Sequence, residues 1–363
     1  MTQTSPTTAK SYDSASIKKL EHSQIEISGS INFETLEKFR APALKSINES
    51  VTVDGFRKGK VPENVLINKV GESGVLEEMA ELALSRAYVE ILIDNKIDAV
   101  GKPQIQLTKL ASGNPLEFKI TTAVVPEVTL PDYKKIAEKQ TKASSASKIE
   151  VTDKDVDEAI LRVRKAQASH EGHDHAKMTP EEHEKAIMDS LPEFNDEFVR
   201  GLGGDFTDIE DFKKKVRIMI GESKKDEARE KSRIALADAL IEATKIDLPE
   251  IMIKTEIDRT QSQFEQDIER MGVKLDDYLK HSKKSLEDIR KDWQPHAEKK
   301  AKLQLILNAI SVAENIKPDQ KEIEAEVAHI IDHYKDADRE RAAIYAETVL
   351  TNEKVFSFLE NIK

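Results

Sequence analysis

The chain contains no cysteine, so neither disulfides nor thiol chemistry can contribute, as suits a reducing compartment. Aromatic residues are scarce, 5% of the total with a single Trp, which argues against one large globular core. No apolar run is long enough to cross a bilayer, and the opening Met1-Thr2-Gln3-Thr4-Ser5-Pro6 lacks both the basic start and the apolar centre of a signal peptide. A soluble cytoplasmic protein without a membrane partner is therefore expected. Catalytic signatures are missing as well: no Cys nucleophile, no nucleotide motif, no metalloprotease helix motif. No catalytic residue and no cofactor is expected.

What the chain has in abundance is charge. Charged residues make up 34% of the 363 residues, the net charge is -12, and the mean hydropathy is -0.54. Such a composition suits long, thinly packed helices spread over two or three domains. A body this acidic is repelled by RNA, so any nucleoprotein contact has to be local.

One stretch runs against that balance. In Asp54-Gly55-Phe56-Arg57-Lys58-Gly59-Lys60-Val61-Pro62 three cations and a ring are crowded between two glycines and a proline. The glycines suit a tight turn, and Pro62 suits the start of a following helix. Crowded cations are tolerable only in water or against an anionic partner. A phosphate-binding P-loop is excluded, because only three residues separate the glycines and Val61 follows the lysine. The residues alone leave two readings open: a solvated connection with Phe56 turned inward as an anchor, or a presented docking surface.

The string Gly55-Phe56-Arg57-Lys58-Gly59-Lys60-Val61-Pro62 resembles the signature of trigger factor, the bacterial chaperone that docks beside the ribosomal exit tunnel and receives emerging polypeptides. The resemblance implies that Phe56, Arg57 and Lys58 contact the large ribosomal subunit, protein and rRNA, while Gly55, Gly59 and Lys60 shape and support the contact. It also implies an α+β N-terminal ribosome-binding domain followed by an extended all-α C-terminal chaperone domain. That second domain would be a cradle holding nascent and unfolded polypeptides without ATP, and the free protein could form a homodimer.

The chain divides accordingly. Residues 1 to about 14 are rich in Ser and Thr and read as a frayed terminus. Residues 15–133 carry the ribosome-binding domain: an alternating strand from Gln24 to Ile31, a helix capped by Asn32 and interrupted near Pro42, the basic loop, and a short helix from Glu63 to Val70. A longer helix follows Gly71 and Gly74, then strands Gln104 to Lys109 and Leu116 to Val125. Full-length family members commonly carry an FKBP-like prolyl isomerase domain next. Between Tyr133 and Phe194, however, there is no Phe, Tyr or Trp, so no aromatic proline pocket can be assembled, and residues 134–190 read as a linker with short helices.

That linker holds His170, His173 and His175, with His183 beyond. Their spacing matches no closed metal site, and a flexible polar segment is preferred over Zn²⁺ or Ni²⁺ binding. Residues 191–363 read as all-helical, with Pro295 expected to kink or break the helix from Leu286 to Ala313. Polypeptide-contact candidates are Met219, Met252, Phe264, Met271, Phe356 and Phe358, although for each of them alone ordinary core packing is the preferred reading. A ribosome-independent holdase or assembly chaperone, and more remotely a prolyl isomerase with an unrecognised site, are the competing readings.

Overall fold

A computed structural model describes residues 10–145, 150–168, 179–334 and 337–362. In chain order it contains β1 (Ser14–Lys19), β2 (Gln24–Ile31), α1 (Phe33–Glu37), α2 (Arg40–Ser50), α3 (Glu63–Asp94), β3 (Ala99–Lys109) and β4 (Leu116–Val124). Helices follow to the end: α4 (Tyr133–Ser145), α5 (Asp153–Ala166), α6 (Pro180–Asp189), α7 (Asp196–Gly201), α8 (Ile209–Ala243), α9 (Glu250–Arg270), α10 (Leu275–Ser282), α11 (Leu286–Ala313), α12 (Gln320–His333) and α13 (Arg339–Glu360). The chain is thus α+β at its start and all-α thereafter, as the sequence implied.

These elements form two compact units, neither continuous in sequence: the residues up to Thr129 join Thr244–Ala309, and Leu130–Ala243 joins the residues from Ile310 onward.

In the first unit the antiparallel sheet has the order β1-β2-β4-β3. Alternation decides which face is covered. Ile25, Ile27 and Ile31 of β2 and Leu116, Phe118 and Ile120 of β4 are buried together with Val75, Met79, Ala83, Ala87 and Ile91 of α3. The register sets Ile27 opposite Ile120 and Gly29 opposite Phe118. A Cβ on Gly29 would lie 2.5 Å from the Ser14 carbonyl oxygen and 2.7 Å from the Phe118 ring, so the three strands can close only because that side chain is missing. Asn32 caps α1 by accepting from the Thr35 amide at 2.8 Å, and α3 is interrupted at Gly71, both as expected.

Order begins before residue 14. Ser11 is buried; its amide and hydroxyl both donate to Glu90 Oε2, at 2.8 and 2.5 Å, and Tyr12 donates to Asp94 at 2.6 Å. Strand β1 itself has no sequence signal, because Ser14-Ala15-Ser16-Ile17-Lys18-Lys19 is an exposed edge whose pairing comes entirely from β2. The segment from Thr244 joins this unit through Leu248, Ala301 and Leu305, which pack with Val128 and Met252. It also joins through β3: Gly101 has φ +77°, and Ile251 at the start of α9 sits 2.8 Å from where a Cβ would be.

In the second unit the segment expected to be a linker is part of the packing. Val156 and Ile160 of α5 are buried with Val199 and Phe212, and Ala137 of α4 is fully buried. Thr152 and Asp155 form a capping box for α5, and Asp319 and Glu322 form one for α12. Asp208 caps α8, its Oδ1 accepting from the Asp211 amide at 2.9 Å. Pro295 lies inside α11, which is continuous around it.

Candidate functional site

The basic loop spans the gap between the end of α2 and the start of α3. Its roots are apolar and its tip is not. Val61 is buried and Val53 packs against the sheet core, while Gly55, Phe56, Arg57, Lys58 and Lys60 are exposed. Gly55 and Gly59 take φ values of +84° and +77° with open space where a Cβ would stand; they serve the turn and no close contact. Two backbone bonds shape the tip, Phe56 to the Val53 carbonyl at 3.1 Å and Lys60 to the Arg57 carbonyl at 2.9 Å.

Asn48, in the last turn of α2, ties the loop to the body. Its side chain donates to the Val61 carbonyl at 2.8 Å and accepts from the Val61 amide at 3.1 Å, and its own carbonyl accepts from Gly59 at 3.0 Å. Sequence inspection missed Asn48, although an Asn one turn before a helix end and a loop is a recognisable candidate for this role. Phe56 is 40% exposed, so the reading in which its ring anchors the core is not the one realised; Val53 and Val61 do that work. Among the described residues, no ion pair engages Arg57, Lys58 or Lys60.

The six polypeptide-contact candidates separate by surroundings. Met219 on α8 and Met271 after α9 are 63% and 64% exposed, and Ile218 and Val273 beside them are exposed too. The other four already have partners. Met252 packs with Leu248 and Leu305. The Phe264 ring meets Tyr278 and Trp293 edge-on, at 5.3 and 5.2 Å between centroids. Phe356 lies under the Arg233 guanidinium at 5.4 Å, and Phe358 lies 5.7 Å from the Lys134 ammonium. Ile344 and Tyr345 on α13 are more exposed than any of these four; they fall off the helical stripe of Ala342, Ala346, Val355 and Leu359 that is buried.

His170, His173 and His175 lie outside the described residues, as does the side chain of His183, a residue of α6. Among the described residues no group of three or more metal-ligating side chains converges, and no helix is long and apolar enough to cross a membrane.

Two family models match, "Bacterial trigger factor protein (TF)" over residues 14–163 and "Bacterial trigger factor protein (TF) C-terminus" over residues 208–360. The chain belongs to the trigger factor family. Curated trigger factors from Moorella thermoacetica and Halalkalibacterium halodurans are 24% and 25% identical, covering 86% and 91% of this chain and 85% and 92% of their own. The Moorella alignment runs over 388 residues, more than the 363 of this chain, so that relative carries residues absent here within the aligned region. A solved chain described under "Promiscuous Substrate Recognition in Folding and Assembly Activities of the Trigger Factor Chaperone" has the same fold at a TM-score of 0.52 and 17% identity, covering 96% of this chain and all of its own. The chain is accordingly a chaperone by family, and its exposed loop lies in the N-terminal matched region.

Proposed function

We propose that this chaperone docks at the mouth of the ribosomal exit tunnel through Phe56, Arg57 and Lys58, with Gly55, Gly59 and Lys60 setting the shape of the tip, and that it holds unfolded polypeptides without ATP. The observation that carries the reading is the exposed Phe-Arg-Lys tip on a pinned base: a ring and cations with no protein partner are poised for a surface of phosphate and protein. Holding is assigned to dispersed patches, Ile218-Met219 and Met271-Val273 above all. Each contributes only about 25 cal/mol per Å² of apolar area removed from water, so binding is summed over weak contacts and reverses without nucleotide.

Prolyl isomerase activity is not part of this proposal. Residues 134–193 supply no aromatic side chain for a proline pocket, and α4 and α5 already bury their apolar faces within the helical packing. The setting is the cytoplasm, and the free chain self-associates, which light scattering over a dilution series would test. The deciding experiment is pelleting with 70S ribosomes. Wild-type protein co-sediments, and the triple variant Phe56→Ala, Arg57→Ala, Lys58→Ala stays in the supernatant; equal pelleting of the two would remove the ribosome from the assignment.

A further inference from the structure

Away from the docking loop, the last turn of α12 carries two imidazoles on one face. His329 and His333 are four residues apart, both exposed, with ring centroids 4.6 Å apart and planes at 75°. Helical geometry makes such a pair neighbours, and the same spacing holds zinc in helical metal motifs. Neither ring has a hydrogen bond or an ion pair to another described residue; each has only the other. The backbone beneath them is fixed, because α12 packs on α13 through Val327, Ala342 and Ala346. The pair Lys354 to Glu322, at 2.8 Å, tethers its first turn. The fixed backbone therefore sets the two rings side by side, and only side-chain rotation is left to order on binding.

We propose that His329 and His333 form a two-imidazole chelate for a late first-row divalent cation, in the affinity order Cu²⁺ above Ni²⁺ and Zn²⁺. With no third protein ligand converging among the described residues, water completes the coordination, and the site is an exchangeable one. A metal bridging the pair staples the final helical turn of α12 and stabilises it against fraying.

The test uses the full chain in a background where His170, His173, His175 and His183 are all changed to Ala, so that the sequence-adjacent histidines contribute nothing. Titration with Cu²⁺ alone, followed calorimetrically, is expected to show one tight site. His329→Ala or His333→Ala alone should weaken it roughly a hundredfold, because the second imidazole otherwise binds at high effective concentration. Adding Ala328→His to the His329→Ala variant keeps the histidine count but places the rings five residues apart, off one face, and should not restore binding. Amide hydrogen exchange over residues 329–334 should slow with Ni²⁺ in the background protein and not in His333→Ala. Equal Cu²⁺ affinity with and without His329, or full rescue by the shifted histidine, would overturn the chelate.

Discussion

Asn48 shows how one side chain can govern the shape of an exposed loop whose cations it never touches. Both of its side-chain bonds go to Val61, the residue at which the loop re-enters the core. Asn48→Ala removes two partly buried hydrogen bonds, so a loss of about 1–2 kcal/mol in denaturant unfolding is expected. Ribosome pelleting should weaken with it even though every cation remains. Asn48→Asp keeps the acceptor for the Val61 amide and loses the donor, and should fall between wild type and Ala in both measurements. Had pelleting been unaffected by Asn48→Ala, the tip would be docking without its present shape. The loop was legible in the sequence because its glycines and cations are contiguous; its tether was not, because Asn48 is read as one more polar helix residue until the fold brings it to Val61.

Between elements, the charged stretch of α8 that holds Arg229 and Arg233 is in part a clamp. Arg233 donates to both carboxylate oxygens of Glu353, at 2.7 and 2.6 Å, and to Glu360 at 2.5 Å, and Arg229 reaches Glu360 at 2.9 Å. The hydrogen bonds from Arg233 hold the Glu353 carboxyl below its usual range. Burial pushes Glu360 up, but the bonds from Arg233 and Arg229 outweigh it and hold it low as well. Carboxyls depressed in this way stabilise the fold in full above the ordinary Glu pKa of about 4.3 and cease to do so as pH falls through their folded values. Hydrogen exchange on α13 should therefore accelerate below about pH 4, and Glu360→Gln should both flatten that dependence and cost about 1–3 kcal/mol, since the pair is only partly screened. A second expectation concerns the sheet. Gly29→Ala forces the Ser14 carbonyl and the Phe118 ring apart, and a loss of about 1–3 kcal/mol in thermal unfolding is expected. Elements with local signals were legible at this scale: the capping boxes of α5 and α12 each lie within four consecutive residues. The packing of α5 was not, because its partners Val199 and Phe212 lie on the later helices α7 and α8, which no local pattern links to it.

For the whole molecule, a net charge of -12 set against a three-cation tip fixes how the proposed ribosome contact should respond to salt. If only Arg57, Lys58 and Lys60 meet phosphate, the logarithm of affinity should fall with the logarithm of salt concentration with a slope of about -2 to -3. A markedly steeper slope would mean that further basic residues take part. The discontinuous first unit was the least legible feature, since no local pattern reveals that Ile251 packs at Gly101 or that Leu248 meets Val128. Its consequence falls on the birth of the protein itself. When β4 has left the peptidyl-transferase centre, the helices that complete this unit are still untranslated, and at about 5–20 residues per second their arrival takes on the order of ten seconds. During that interval Val128 and the flank of β3 lack the cover that Leu248 and Ile251 give them in the finished fold, so the newborn unit must stay open far longer than its local elements need to form.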